Sequence, residues 1–239
     1  MDTVEPEGGA SLAEAVYLEL KRRLNRGGLR PGDFIDQAAL GAELGLSRAP
    51  LRDALIRLEL EGFVSVFPRR GVMVRSLDLP AIRDIYEILG ALEGAAAEHA
   101  AVRFGSLETD RMEVLLSTMD GALAGDDFDA YYAANLAFHD VYIALSPNID
   151  LKRQVRILKE RLYDFPRRSG FLREWEIASM VEHRELAARF KAGDFPGAGA
   201  WVRGVHWSYA VQERYIRDYY LGKEAIPAAA LARPRAGVS

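Results

Sequence analysis

Apolar residues near the start of the chain recur every three or four positions, a spacing that predicts amphipathic helices. The first stripe consists of Leu12, Val16, Leu20 and Leu24. A helix is therefore predicted that ends at Gly27-Gly28. Pro31-Gly32 favours a turn. Asp36 can then cap a short second helix, which would run to Leu44 and end at Gly45.

A third helix is predicted to begin after Ser47, which can cap it. Its apolar face consists of Leu51, Leu55 and Leu58, and the helix should end before Gly62. Two helices joined by a tight turn that contains glycine are typical of a helix-turn-helix.

The pattern after Gly62 changes to that of β-strands. The sequence FVSVF at 63–67 and the sequence VMV at 72–74 predict two strands, since both are rich in β-branched and aromatic residues. Between them, Pro68-Arg69-Arg70-Gly71 predicts a turn with two arginines at its tip. A helix-turn-helix followed by a hairpin is a winged helix.

Helical spacing returns after Pro80, and nothing beyond it reads as a strand. Helices are predicted near 80–103, 107–124, 127–145, 149–164, 171–192 and 196–221. The predicted fold class is mostly α, with a winged helix-turn-helix at 11–77 followed by an all-helical antiparallel bundle at 80–221. The segments 1–10 and 222–239 lack periodicity and are expected to be disordered.

Composition and charge narrow the functional classes. The 239 residues include no cysteine, which excludes a disulfide framework, a thiolate metal site and a cysteine nucleophile. The acidic N-terminus and the lack of a long apolar run predict a cytoplasmic protein with no membrane partner. The net charge is −4, yet residues 10–75 carry 11 Lys+Arg against 8 Asp+Glu. The predicted winged helix is therefore the basic part of the chain.

Arg48 and Arg52 lie one turn apart on the third helix, away from its apolar face. An arginine near the start of a helix in the major groove can form a bidentate contact with guanine, and Ser47 can bind a phosphate. Alternatively, Arg48 and Arg52 could simply belong to a helix face that is exposed to solvent and binds nothing. The capping serine, the glycine turn and the basic hairpin favour DNA binding.

The run from 29 to 74 resembles the DNA-binding domain of GntR-family transcription regulators. The resemblance is strongest in GLSRAPLRDALIRLELEG, from Gly45 to Gly62. It implies a set of DNA-contacting positions at the start of the recognition helix and at the wing tip: Ser47, Arg48, Arg52, Arg69, Arg70 and Gly71. Some members of the FadR branch have a DNA-contacting arginine where this chain has Ala38, so that contact is expected to be missing.

The predicted bundle contains all four histidines of the chain, which are His99, His139, His183 and His206. Asn135 and His139 are four residues apart and share a helix face. Together with His183 and His206 they could form a nitrogen-rich site for a divalent metal such as zinc, nickel, iron or copper. Alternatively, each histidine could be hydrogen-bonded separately in the core. His99 is expected to lie outside the site.

Three segments, LAFHDVYIALSPN, MVEHRELAARFKAGD and WVRGVH, resemble the metal-bearing segments of the FCD effector domain, which often accompanies this winged helix. The resemblance implies that Asn135, His139, His183 and His206 hold a divalent metal. Many FCD domains have Asp in place of Asn135 and an effector-facing Arg in place of Leu89. The neutral amide predicts weaker metal binding and tighter anion binding. We therefore expect a small organic acid or anion that ligates the metal in a pocket partly formed by Leu89.

The family resemblance further implies a homodimeric repressor that binds an inverted-repeat operator in double-stranded DNA, rather than an enzyme. Two alternatives stay open at this stage. One is a metal-dependent hydrolase or isomerase, although Asp140 and Glu182, which adjoin ligands, are expected to point to other helix faces and no general base is apparent. The other is a helical dimerisation module without a metal.

Overall fold

The computed structural model describes residues 11–163 and 172–221, and these form two compact units. The first unit contains the described residues up to Ile85 together with those from Asn148 to 163, and the second contains the remainder. The segments 1–10 and 222–239, predicted to be disordered, lie outside the described residues.

Helices account for most of the described residues. They are α1 (Leu12–Asn25), α2 (Gln37–Glu43), α3 (Arg48–Leu60), α4 (Leu79–His99), α5 (Ser106–Ala124), α6 (Phe128–Ile143), α7 (Ile149–Tyr163), α8 (Arg173–Lys191), α9 (Phe195–Trp201) and α10 (Tyr209–Leu221). Helix α4 begins in the first unit and continues in the second. None of these helices combines the length and the apolar character needed to cross a bilayer.

Three small strands complete the first unit: β1 (Phe34–Ile35), β2 (Val64–Phe67) and β3 (Gly71–Val74). They form an antiparallel sheet in the order β1-β3-β2, with Ile35 opposite Val72 and Val64 opposite Val74. The hairpin of β2 and β3 is the predicted wing. Strand β1 was not predicted, because two residues are too few to show alternation.

Caps define the ends of the first helices. Ser11 Oγ accepts a hydrogen bond from the Glu14 amide, and Asp36 Oδ1 accepts bonds from the amides of Ala38 and Ala39. The prediction for Ser47 was only partly right. Ser47 occupies the N-cap position of α3, but its side chain makes no cap hydrogen bond.

The core of the first unit confirms the predicted apolar faces. Its buried residues include Val16, Leu20 and Leu24 from α1, Leu51, Leu55 and Leu58 from α3, and Val64, Val72 and Val74 from the sheet. Leu12 departs from the prediction and is 40% exposed.

Helix α7 packs against the winged helix. The prediction that it belongs to the helical bundle at 80–221 was therefore wrong. Ile157 joins the buried core of the first unit, and Lys21 forms an ion pair with Glu160. Gly62 has a φ of +83°, and a Cβ there would lie 2.9 Å from the Arg161 guanidinium carbon. Periodicity reveals that a helix has an apolar face, but not which partner covers that face.

The second unit contains one interruption that the sequence did not predict. The predicted helix at 196–221 is divided into α9 and α10 by a π-helical turn, Val202–His206. Single π turns inside helices are often found at functional sites. This turn places His206 at its last position.

We expect Ile157→Ala to destabilise the protein by about 2–4 kcal/mol, because it removes buried methyl groups from the winged-helix core. Urea unfolding followed by circular dichroism measures this loss. Ile149→Ala is a matched control, since Ile149 lies on the same helix and is 75% exposed. Equal effects of the two substitutions would contradict the assignment of α7 to this core.

Candidate nucleic-acid interface and metal centre

The start of α3 presents three polar side chains to solvent. Ser47 and Arg48 are exposed, and the Arg52 side chain is 71% exposed with only a 3.4 Å contact to Asp53. The opposite face of α3 is buried. All three predicted residues therefore lie together on one accessible surface, where they can reach a phosphate or a base edge.

The wing tip is a second basic surface of the same unit. Arg69 and Arg70 are exposed at the turn, where Arg69 has a φ of 64° and Gly71 a φ of 106°. The left-handed conformation at position 71 favours glycine, because a Cβ there would be strained. The structure thus brings Arg69, Arg70 and Gly71 together, as the sequence predicted.

Arg57, another arginine of α3, is engaged by neighbouring side chains of the winged helix. Arg57 stacks on the Tyr17 ring, with its guanidinium carbon 3.6 Å from the ring centroid, and forms ion pairs with Glu14 and Glu61. The contacts of Arg57 are thus internal to the winged helix. Arg48 and Arg52 differ from Arg57 in exposure and in contacts because they lie at different positions on α3, although all three are arginines.

In the second unit, three histidines from different elements converge. His139 lies on α6, His183 on α8 and His206 at the end of the π turn, and their ligand nitrogens all lie within 4.8 Å of one another. His139 Nε2 is 3.2 Å from His183 Nε2. Tetrahedral metal ions with bonds of about 2.0–2.1 Å hold nitrogens roughly 3.3 Å apart. The histidine cluster therefore has dimensions that suit a metal ion.

A buried carboxylate orients His139. Glu93 on α4 is fully buried, and its Oε2 lies 2.8 Å from His139 Nδ1. The Tyr142 hydroxyl donates to the same oxygen at 2.5 Å, and burial together with Glu93 raises the pKa of Tyr142 well above its ordinary value. Since the carboxylate accepts the Nδ1 proton, the lone pair of His139 is on Nε2, the atom that faces His183.

A second carboxylate orients His206. Glu182 Oε2 lies 2.9 Å from His206 Nδ1, so that this imidazole also keeps its Nε2 lone pair for a ligand. The sequence predicted that Glu182 points to another helix face than His183 and leaves no carboxylate near the histidines; the contact with His206 shows that the second part was wrong. Glu182 points away from its neighbour His183 but towards His206, which comes from another part of the chain. Asp140 is exposed, as expected.

Asn135 is one turn before His139 on α6. Its Oδ1 atom is buried and makes no hydrogen bond to any described residue. A buried amide oxygen without a donor is costly unless a cation or a ligand satisfies it. Three imidazoles and an amide oxygen form a donor set that zinc and nickel accept, so the residues fit a divalent metal.

Two further residues, Leu89 and His99, were singled out in the sequence, the first for the effector pocket and the second as lying outside the metal site. Leu89 is fully buried on α4, one turn before Glu93 and on the same face of that helix. His99 Nδ1 lies 3.0 Å from the Ser146 hydroxyl, which places His99 outside the histidine cluster, as expected.

Sequence reasoning missed a partly buried acid on α8. Glu176 interacts with the Tyr131 hydroxyl, and burial raises its pKa to about 7, while the charge of His206 acts in the opposite direction. The spacing in the sequence gave a weak indication of this position. Glu176 precedes His183 by two helical turns and therefore shares its helix face.

Comparisons with known proteins identify two domains. The family profile described as bacterial regulatory proteins, gntR family, matches residues 12–74, and the profile described as FCD domain matches residues 84–205. These matches cover the winged helix and a segment that contains three of the four candidate metal ligands, Asn135, His139 and His183, while His206 directly follows its last residue.

The chain also resembles individual proteins. It is 30% identical over 146 residues to an uncharacterised HTH-type transcriptional regulator from the TAR-I ttuE-ttuC' intergenic region of Agrobacterium vitis, over 60% of this chain and 84% of that one. It is 34% identical to the Nta operon transcriptional regulator of Aminobacter aminovorans, over 56% and 63% respectively. The structure of E. coli McbR/YncC is similar with a TM-score of 0.60 and 23% identity, over 89% of this chain and 98% of that one. This likeness confirms the predicted fold class.

Glu176 predicts a pH-dependent stability. Its raised pKa keeps the carboxyl group protonated in the folded state up to about pH 7, whereas the ordinary pKa of a glutamate is 4.5. Stability contributed by this group is therefore fully present below the unfolded pKa and is lost as the pH rises towards 7. Relative to Glu176→Gln, the unsubstituted protein should lose on the order of 2–3 kcal/mol of unfolding free energy between pH 5 and pH 8.

Urea unfolding in EDTA at several pH values measures this difference. Glu174→Gln, on the exposed side of the same helix, is the control for the loss of one carboxylate from α8. If the curves for Glu176→Gln and the unsubstituted protein ran parallel, Glu176 would not titrate as described.

Proposed function

We propose that the protein is a homodimeric repressor whose affinity for an operator is controlled by a small carboxylate. The chain belongs to the GntR family of bacterial regulatory proteins and carries an FCD domain. The relatives found by sequence are transcriptional regulators rather than enzymes. The observation that carries the proposal is the presence in one chain of an exposed arginine pair on a recognition helix and a converging histidine cluster.

The winged helix would read DNA through the start of α3. Arg48 and Arg52 would contact base edges in the major groove, while Ser47 and the wing arginines would bind phosphates. A homodimer would present two such helices, and its symmetry would match an inverted repeat with half-sites about 10 base pairs apart. The exposure of these side chains supports this role.

The histidine cluster would bind the metal and, through it, the effector. His139, His183, His206 and Asn135 would hold a divalent ion, which would supply a Lewis acid for carboxylate oxygens. Glu93 and Glu182 place two negative charges behind the histidines, and these offset the charge of the ion. The carboxylate would then be selected because it ligates the metal directly, and not because the site carries excess positive charge. Leu89, buried near Glu93 on α4, would form part of the effector pocket.

Arg52→Ala should weaken operator binding by about 10-fold or more, because one bidentate base contact is worth about 1–3 kcal/mol. The measurement is fluorescence anisotropy with a duplex that the unsubstituted protein selects from a random library. Stabilisation of the variant by zinc should be unchanged.

Arg83→Ala is the matched control, since Arg83 is also exposed and lies beside an aspartate, Asp84. It should bind the selected duplex as the unsubstituted protein does. Equal losses for the two variants would show that general charge, and not the recognition helix, governs binding.

His183→Ala should weaken zinc binding by at least about 100-fold, because it removes a direct ligand. Competition with a chromophoric chelator measures the zinc affinity. His99→Ala is the control, since His99 lies outside the cluster. In EDTA, the His183 variant should bind the selected duplex with its original affinity. Zinc affinity that survives the substitution would overturn the proposed centre.

A further inference from the structure

A row of hydrogen bonds leads from the beginning of α8 to the histidine cluster. Trp175 Nε1 donates to Gln212 Oε1 at 2.9 Å, and Gln212 Nε2 donates to Glu182 Oε1 at 2.7 Å. Glu182 Oε2 in turn accepts from His206 Nδ1 at 2.9 Å. We propose that Gln212, oriented by Trp175, is a positioning residue that holds Glu182 against His206 and thereby aims His206 Nε2 at the metal. This inference rests on the proposed metal centre.

The donor chemistry permits one orientation of the Gln212 amide. The indole of Trp175 has only a donor, so the amide oxygen must face it. The amide nitrogen then faces Glu182 and also the carbonyl oxygen of Val205, at 3.3 Å. In the flipped orientation the amide oxygen would face a carboxylate, and two donors would face each other.

Burial makes this row sensitive to substitution. The Gln212 side chain is 2% exposed, and His206 and Glu182 are nearly buried. Water has little access to replace a lost hydrogen bond there, so a missing partner leaves a buried polar group unsatisfied. Trp175 is itself held in place, because its ring stacks on the Tyr215 ring. The ring centroids are 5.9 Å apart and the interplanar angle is 7°.

The place of His206 in the chain explains why it needs this support. It is the last residue of the π turn, whose backbone differs from a regular helix, and Gln212 ties α10 to that turn through Val205. His139 lies within the regular helix α6, where a tyrosine plays the equivalent part. The Tyr142 hydroxyl donates to Glu93 as the Gln212 amide donates to Glu182.

The test compares zinc affinities by competition with a chromophoric chelator. Gln212→Leu should bind zinc about 10-fold more weakly, within the range known for residues that orient metal ligands. Trp175→Phe keeps an aromatic ring but removes the N–H donor, and we expect a smaller loss than for Gln212→Leu, because the Gln212 amide itself remains. Since both act through one amide, adding Trp175→Phe to Gln212→Leu should cause no further loss. The control is Gln154→Leu, an exposed glutamine on α7, which should bind zinc normally.

A second readout does not need the metal. The side-chain ¹⁵N signals of His206 in the metal-free protein should report a proton on Nδ1, and Gln212→Leu should yield a mixture of both tautomers. Thermal unfolding of the metal-free variants verifies that they are folded.

Three outcomes would overturn the inference or its premise. Unchanged zinc affinity in both single variants would exclude the positioning role while leaving the metal centre intact. Additive losses in the double variant would mean that the two substitutions damage the protein independently, which also excludes it. Absence of zinc binding by the unsubstituted protein would overturn the metal centre itself, and this role with it.

Discussion

A buried imidazole that presents one ring nitrogen to a metal almost always donates its other N–H to an acceptor, which fixes the orientation of the ring. Glu93 and Glu182 are the acceptors for His139 and His206. Their hydrogen bonds determine which ring atom faces the cluster and which way each ring is turned. Helix α4 must therefore keep its register with α6, and helix α8 with the π turn, since a shift of one residue would carry a carboxylate away from its histidine.

The same arrangement concentrates negative charge. A buried carboxylate is expensive unless it is paired or hydrogen-bonded, and Glu93 is fully buried. Its bonds to Tyr142 and His139 recover part of this cost, and a divalent cation at the histidines would recover more. Metal binding and stability of the second unit are thus linked in the proposed function. The neutral Asn135 fits this account, because the charge that an aspartate would bring to the ion is already supplied from behind the imidazoles.

Much of this structure could be predicted from the sequence, because local patterns encode it. Alternating and three-to-four spacings predict the helices and the wing, and the resemblance to known families identified the histidines. Other features depend on long-range contacts. Glu93 precedes His139 by 46 residues, so no spacing rule connects them. The π turn at His206 has no signature of its own in hydrophobic spacing. The partner of α7 also went unrecognised, because Ile157 gives no sign of which core it enters.

The order of the elements bears on how the two proposed roles would be combined in one chain. Regulation requires that ligand binding in the second unit has different affinities in two states of the first. The chain enters α7 from α6, the helix that carries His139, and α7 packs into the winged-helix core through Ile157. The segment between the two helices is itself held, since His99 contacts the buried Ser146 there. In the proposed function, ligation of His139 would therefore take place on the helix that directly precedes α7 along the chain, with Ser146 held by His99 between the two helices.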